Sequence, residues 1–310
     1  MKKLLLSLIA SLSACVLAAG DSVVFLSCSD SSPASSGAYS GARAAAKTIG
    51  DKYGKKVSVR YESVPRDADA ISAALSKAYV GGAKGAAIFL AEDLSSKKLS
   101  EAIDSLNGRG FPVSVAGAQV LGAKPFSSAA TDAVKARSAL DSEIRRLGGS
   151  EKIPLFCVRV KDSPSGVLGP GGIERFLKAH SALKDVQTAH YSVYAAENAV
   201  EIMRFDTYGL LIFDASALSD MAPIAPDSDR KFAVCADGAP YLVYYFANGF
   251  LDSCVFEDYF GFGYCVLRDI CENIYSEAVP NPSRTLIAPL VFKREDSEKF
   301  SELWKEWMRR

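Results

Sequence analysis

The sequence predicts an α/β protein made of two doubly wound, Rossmann-like lobes. Short β-branched and apolar runs alternate with segments of helical apolar spacing, a pattern that removes the all-α and all-β classes. The alternation restarts after a long helical stretch at 131–147, so the same unit is used twice. A chain of 310 residues with 49% hydrophobic residues can fill one large core or two medium ones, and the repeat favours two.

Taken in order, the first lobe opens on strand 23–26 (Val-Val-Phe-Leu) and the alanine-rich helix 38–53. Strand 57–61 alternates apolar and polar residues, helix 67–80 starts at Asp67, and strand 86–90 is apolar throughout. Helix 94–106 places Leu99, Ile103 and Leu106 at helical spacing, and strand 113–115 follows it. After the helix at 131–147, the second lobe repeats the scheme with strands 155–160, 186–193, 210–213 and 232–236. Strand 253–256, helix 261–274 and strand 286–292 then complete the sheets. Phe300, Leu303, Trp304 and Trp307 form the stripe of a terminal helix that docks by its apolar face. Parallel strands need crossovers, and right-handed βαβ connections bury both faces of the sheet between helices. No low-complexity linker separates the lobes.

Lysine plus arginine equals aspartate plus glutamate at 36 each, so no overall field attracts nucleic acid, and no nucleic-acid partner is expected. At the amino terminus, Lys2 and Lys3 precede an apolar run at 4–14 that is too short for a stable bilayer span. Residues 1–20 therefore read as a signal peptide. Leu12-Ser13-Ala14-Cys15 resembles a bacterial lipobox, in which Cys15 carries the lipid anchor; the other reading is an ordinary cleavage near Ala18, Ala19 or Gly20. Either places the mature chain on the periplasmic or extracellular side of the envelope. The remaining cysteines, Cys28, Cys157, Cys235, Cys254, Cys265 and Cys271, lack the spacing of a disulfide scaffold or a zinc site. Most read as packed thiols, with no metal and no cofactor. Cys235 and Cys254 fall in neighbouring predicted strands, and spacing leaves a bridge between them open.

Several segments carry a further signal by their order. They are the first strand leading to Pro33 and Tyr39-Ser40-Gly41-Ala42, then Gly110-Phe111-Pro112-Val113, and Thr131-Asp132 ahead of a helix. Phe232-Ala233-Val234-Cys235-Ala236-Asp237-Gly238 comes next, then Val255-Phe256-Glu257-Asp258-Tyr259 with Gly261 and Gly263 behind it, and finally 286–293. Over nearly everything after the leader, the chain resembles the type 1 periplasmic solute-binding proteins of the ribose-binding class. The resemblance implies a three-crossover hinge, an N-terminal lobe of 21–131 plus 258–287, and a C-terminal lobe of 132–257 plus 288–310. It also implies a monomer that captures a small polar solute, sugar-like or related, between two lobes and delivers it to an ABC permease without covalent chemistry. The chain departs from the family at three places. Ala34 and Ser35 replace the aromatic pair after the first proline, Gly117, Ala118 and Gln119 replace an Asp-Arg pair, and 169–172 replaces an arginine. These departures argue against a plain pyranose.

Ligands of open α/β sheets bind beyond the carboxyl ends of the strands, which selects the candidate residues. Asp237 ends a strand and matches the family's cleft aspartate, or else caps the next helix. Glu257 stands at a crossover where the family often has glutamine; its carboxylate either accepts hydroxyl or amine donors or forms a hinge salt bridge. Asp214 adds a third acid, or serves as an N-cap ahead of Ala215-Ser216-Ala217. Ser32, in the polar loop after the first strand, Gln119 and Lys161 complete the ligand-binding set. Gly166, Gly169, Gly171 and Gly172 have the wrong spacing for a phosphate fingerprint, and Pro170 interrupts them. His180, His190 and Cys28 have no partners in a catalytic order, so no enzyme activity is read. The rivals are a sensor subunit for a membrane kinase or chemoreceptor and a degenerate lipoprotein that no longer binds a solute.

Overall fold

A computed structural model describes residues 21–28, 33–148, 155–160, 166–168, 172–179, 183–188, 208–220, 230–276 and 284–309. The chain divides into two units, Met1–Ala129 with Phe260–Thr285 and Ala130–Tyr259 with Leu286–Arg310. It therefore passes from one unit to the other three times, after Ala129, Tyr259 and Thr285.

The first unit runs β1 (Asp21–Ser27), α1 (Pro33–Tyr53), β2 (Val57–Ser63), α2 (Ala68–Val80), β3 (Gly85–Leu90), β4 (Leu94–Ser95), α3 (Lys97–Gly108), β5 (Val113–Gly117), β6 (Val120–Leu121) and β7 (Ser128–Thr131). It resumes with α8 (Tyr259–Tyr275) and β13 (Arg284–Ile287). Its main sheet has the order β2-β1-β3-β5-β7-β13, and the pairs from β2 through β7 are parallel. Period-two alternation splits β1 between two layers. Val24 and Leu26 join Ile71, Leu75, Leu99 and Ile103 from α2 and α3 on one face. Phe25 points the other way, 5.7 Å from the Tyr39 ring of α1 and 6.3 Å from Tyr61. Helix α2 starts where the Asp67 carboxylate accepts the Ala70 amide at 2.8 Å, and α3 where Ser96 Oγ accepts the Leu99 amide at 3.2 Å.

The second unit runs α4 (Ala133–Gly148), β8 (Leu155–Val160), α5 (Gly172–Ala179), β9 (Leu183–Thr188), β10 (Tyr208–Ile212), α6 (Ser216–Asp220), β11 (Arg230–Cys235), α7 (Leu242–Ala247), β12 (Ser253–Phe256), β14 (Leu290–Lys293) and α9 (Ser297–Met308). Its sheet order is β9-β8-β10-β11-β12-β14, parallel except for the edge strand β14. Leaving out each sheet's last edge strand, both units share one order, in which the second strand lies outside the first and the rest follow on the other side. This is a doubly wound topology with its switch point between the first and third strands. Ala136, Leu140, Ile173 and Phe176 cover one face of the second sheet. On the terminal helix, Phe300, Trp304 and Trp307 are buried, and the Trp304 ring stacks on Phe256 at 5.9 Å.

Several expected elements come out differently. The strand expected at 286–292 is two strands, β13 in the first sheet and β14 in the second, because Pro289 cannot donate to a ladder and the chain changes sheets there. The helix expected from 94 starts at Lys97, because 94–95 pairs with Val120 and Leu121 as a small parallel ladder. The helix expected over 261–274 spans Tyr259–Tyr275, and that expected over 131–147 spans Ala133–Gly148. The strand expected at 186–193 is described as Leu183–Thr188, and 189–193 lies outside the described residues. Strand β7, Ser-Ala-Ala-Thr, has too little apolar character to be read from sequence. Cys235 and Cys254 are partners in register across β11 and β12, and both are buried free thiols.

Two glycines bring α1 and α8 into backbone contact. A Cβ on Gly263 would lie 1.7 Å from the Ala38 carbonyl oxygen, and one on Gly41 would lie 1.9 Å from that of Phe260. Backbone cannot yield as a flexible side chain does, so Gly263→Ala is expected to cost about 3 kcal/mol or more. Thermal denaturation should show its midpoint lowered by at least about 6 °C. Gly108→Ala, where nothing lies within 4 Å, serves as the neutral control. Equal midpoints for the two variants would contradict the close approach.

Candidate functional site

Strands β8, β10, β11 and β12 run parallel, so the loops that follow them emerge at one edge of the second unit's sheet. Asp214, Asp237 and Glu257 follow β10, β11 and β12 at that edge. Asp237 joins two of the loops: its Oδ2 accepts the Ala215 amide at 2.9 Å and its Oδ1 accepts the Gly238 amide at 2.7 Å. The chain turns tightly behind it, since a Cβ on Gly238 would lie 2.3 Å from the Phe256 ring. Asp214 Oδ1 accepts the Ser216 amide at 2.9 Å and the Ser216 hydroxyl at 2.6 Å, the arrangement of a helix-opening turn ahead of α6. Glu257 Oε1 accepts the Thr131 hydroxyl at 2.8 Å, which ties the first crossover to the second. The Asp132 amide bonds the Ile287 carbonyl at 2.8 Å and so ties the first to the third.

The electrostatics of this edge are those of desolvated acids. Burial pushes the Asp237 carboxyl up to about 6; the Ala215 and Gly238 amides oppose the shift and the Asp214 charge adds to it. Burial likewise raises Glu257 to about 7, against the Thr131 hydrogen bond and with the charge of Asp237. Tyr259, whose amide donates to the Glu257 carbonyl at 3.0 Å, is buried, and its phenol is raised first by burial and then by Asp237 and Glu257. The phenol of Tyr241, a residue 42% exposed, is raised by burial and then by Asp237. Thr131, Tyr241 and Tyr259 thus belong to the site and were not singled out as contacts from sequence. The signal available was their position at a strand end: Thr131 closes β7, Tyr259 lies three residues beyond β12, and Tyr241 six beyond β11. No group of three or more His, Cys, Asp or Glu side chains among the described residues is arranged to hold a metal.

Gln119 lies in the first unit. Its amide donates to Asp93 Oδ1 at 2.8 Å and its carbonyl accepts the Leu94 amide at 2.8 Å, which leaves the side chain exposed. The preceding Gly117 has φ +83°, where a Cβ would also lie 2.3 Å from the Leu90 carbonyl oxygen, so the loops after β3 and β5 are closely joined. At the end of β1, the Ser27 hydroxyl donates to Ser35 Oγ at 2.8 Å, and Ser35 is buried. Cys28 is fully buried and burial pushes its thiol up to about 12, the state of an inert packed cysteine. Ser32, Lys161 and the anchor candidate Cys15 lie outside the described residues, as do His180, His190, Gly169 and Gly171. Of the six ligand candidates, the structure gathers Asp214, Asp237 and Glu257 on one edge and places Gln119 in the other unit.

No protein-family model and no curated protein matches the sequence. Solved structures do. An arabinose-binding protein from Geobacillus stearothermophilus superposes with a TM-score of 0.71 at 15% identity, over 91% of this chain and 99% of that one. A periplasmic ribose ABC transporter structure from Conexibacter woesei gives 0.72 at 13% identity, over 94% and 99%. An ABC transporter solute-binding protein from Bacillus halodurans with bound myo-inositol gives 0.64 at 13% identity, over 92% and 98%. The chain has the fold of the type 1 periplasmic binding proteins.

A carboxylate whose folded pKa is raised binds more protons in the folded than in the unfolded state between the two values. Stability then falls as pH rises through that window. For Glu257 the window runs from its ordinary 4.5 to about 7. Glu257→Gln keeps the acceptor for Thr131 and removes the titration. The variant should match the wild type near pH 4.5 and exceed it at pH 8 by on the order of 1–3 kcal/mol, measured as denaturation midpoint against pH. Parallel curves for the two proteins would contradict the assignment.

Proposed function

We propose that this chain is an extracytoplasmic solute-binding protein that captures a small polar ligand and delivers it to an ABC permease. The supporting observation is the pair of half-buried carboxylates, Asp237 and Glu257, at the carboxyl edge of the second sheet. An ionised carboxylate offers about four lone-pair sites. Asp237 uses two on backbone amides and Glu257 uses one on Thr131, so each keeps acceptors for hydroxyl or amine donors of a bound solute. Asp214 contributes a further acid beside them, Tyr241 an aromatic surface, and Ser32, Gln119 and Lys161 the remaining polar contacts. One structural neighbour is an arabinose-binding protein and another holds myo-inositol; both solutes are small and rich in hydroxyls, which agrees with this acceptor-rich edge. The reading includes removal of residues 1–20, or retention on a lipid at Cys15. Among the described residues, no helix is long and apolar enough to cross a membrane.

Sugars, polyols, nucleosides and amines screened by thermal shift identify the ligand class, and calorimetry then tests the residues. A charge-assisted hydrogen bond contributes about 1.5–3 kcal/mol. Asp237→Ala should therefore weaken binding by roughly 10- to 150-fold, and Glu257→Gln should weaken an amine ligand more than a neutral one. Asp237→Ala also removes the acceptor for two amides, so its denaturation midpoint is measured alongside. A folded variant with wild-type affinity removes Asp237 from the site, and silence across every ligand class rejects the binding function.

A further inference from the structure

An open groove of about 280 Å³ lies between α1 and β2, lined by Arg43, Lys47, Lys55 and Lys56 with one acid, Asp51. All five side chains are exposed. None of the three lysines takes part in the ion pairs of the described residues. The Arg43 guanidinium sits 5.9 Å over the Tyr39 ring, a position that orients it without neutralising it. The local fold builds this concentration of charge. Arg43 and Lys47 are one helical turn apart on α1. Gly54, at φ +62°, ends the helix, and the Lys55 amide returns to the Gly50 carbonyl at 2.9 Å. A Cβ on Gly50 would lie 2.7 Å from the Lys55 carbonyl oxygen, so glycine there lets the turn fold back against the helix. Strand β2 closes the sheet order at this side, with β1 as its one neighbour among the described residues.

The register gives the groove a place in the molecule. Val57, on its floor, pairs with Asp21, the first described residue. Cys15 stands six positions before Asp21, and a chain of that length reaches at most about 20 Å. The neighbouring charges do not cancel the patch. Asp21 accepts the neutral Tyr275 hydroxyl at 2.8 Å and keeps its charge, which the exposed Lys84, just before β3, offsets, while Lys52 and Glu272 neutralise each other at 2.7 Å.

We propose that this basic groove docks on anionic phospholipid headgroups and holds the first unit against the bilayer near the point where the chain is tethered. Its location at a membrane rests on the extracytoplasmic, lipid-anchored reading above, whereas its charge does not. Arginine forks and lysine ammonium groups form charge-assisted hydrogen bonds to phosphate oxygens. Each basic side chain near an anionic surface multiplies partition on the order of five-fold.

Acetylation footprinting of the full chain tests the proposal. The protein is mixed with excess vesicles of phosphatidylcholine alone or with added phosphatidylglycerol, treated with a limiting acetylating reagent, and analysed by mass spectrometry. Lys135, 62% exposed in the second unit, is the internal reference. Phosphatidylglycerol should slow labelling of Lys47, Lys55 and Lys56 by at least about five-fold and leave Lys135 unchanged. The protection should vanish near 1 M salt, where the screening length is about 3 Å. Arg43→Glu with Lys47→Glu should restore the unprotected rate at Lys55 and Lys56. Equal rates in the two vesicle types would overturn the proposal. So would the same protection from inorganic phosphate over phosphatidylcholine vesicles, which would assign the groove to a soluble anion. The mass of the amino-terminal peptide reports acylation of Cys15 in the same sample, so a failed anchor and a failed groove are told apart.

Discussion

A strand that pairs in parallel with its predecessor must be reached by a crossover, and this requirement governs both units. Each crossover carries the chain back to the same end of the sheet, so every loop that follows a strand is delivered to one edge. Asp214, Asp237 and Glu257 are far apart in sequence and become neighbours because β10, β11 and β12 are adjacent and share a direction. The loops after β3 and β5 in the first unit, with Asp93 and Gln119, are joined for the same reason. Neither unit needs a special device to assemble an edge of polar groups; the topology supplies it.

The residues at that edge have structural and chemical duties together. Asp237 satisfies two backbone amides that would otherwise be left unpaired in a buried loop, and Glu257 satisfies a threonine hydroxyl on another crossover. Both carboxyls are nevertheless raised above their usual range, because burial removes more hydration than these bonds replace. An acid kept in that state lowers the stability of the empty protein at neutral pH. On the proposed function, a ligand that brings donors or positive charge to this edge would offset that cost.

The extent to which this was legible in the sequence follows from the range of each interaction. Strand β1 declares itself through Val-Val-Phe-Leu, and β8 and β12 were placed to the residue, because a buried parallel strand is apolar on both faces. The terminal helix showed its docking face through Phe300, Trp304 and Trp307. Strand β7 left no such trace, since its four residues, Ser-Ala-Ala-Thr, are small and carry little apolar signal. The split of 286–292 was missed because the apolar pattern continues across Pro289 while the partner sheet changes. Asp237 and Glu257 stood out by resemblance and strand-end position, whereas the bond between Thr131 and Glu257, 126 residues apart, has no local signature.

Periodicity, turn residues and strand-end position are local properties, and they sufficed for the α/β class, the repeated unit and the set of acids at the strand ends. Which acids meet and which amides occupy them, how far burial raises them, and whether four cations gather at one groove depend on pairings between distant segments. Those pairings come from strand register and from close approaches that glycine permits, of backbone at Gly41, Gly50 and Gly263 and of the Phe256 ring at Gly238. A sequence shows that a glycine is present. The neighbour that would collide with its Cβ is known once the tertiary fold has brought that neighbour within contact.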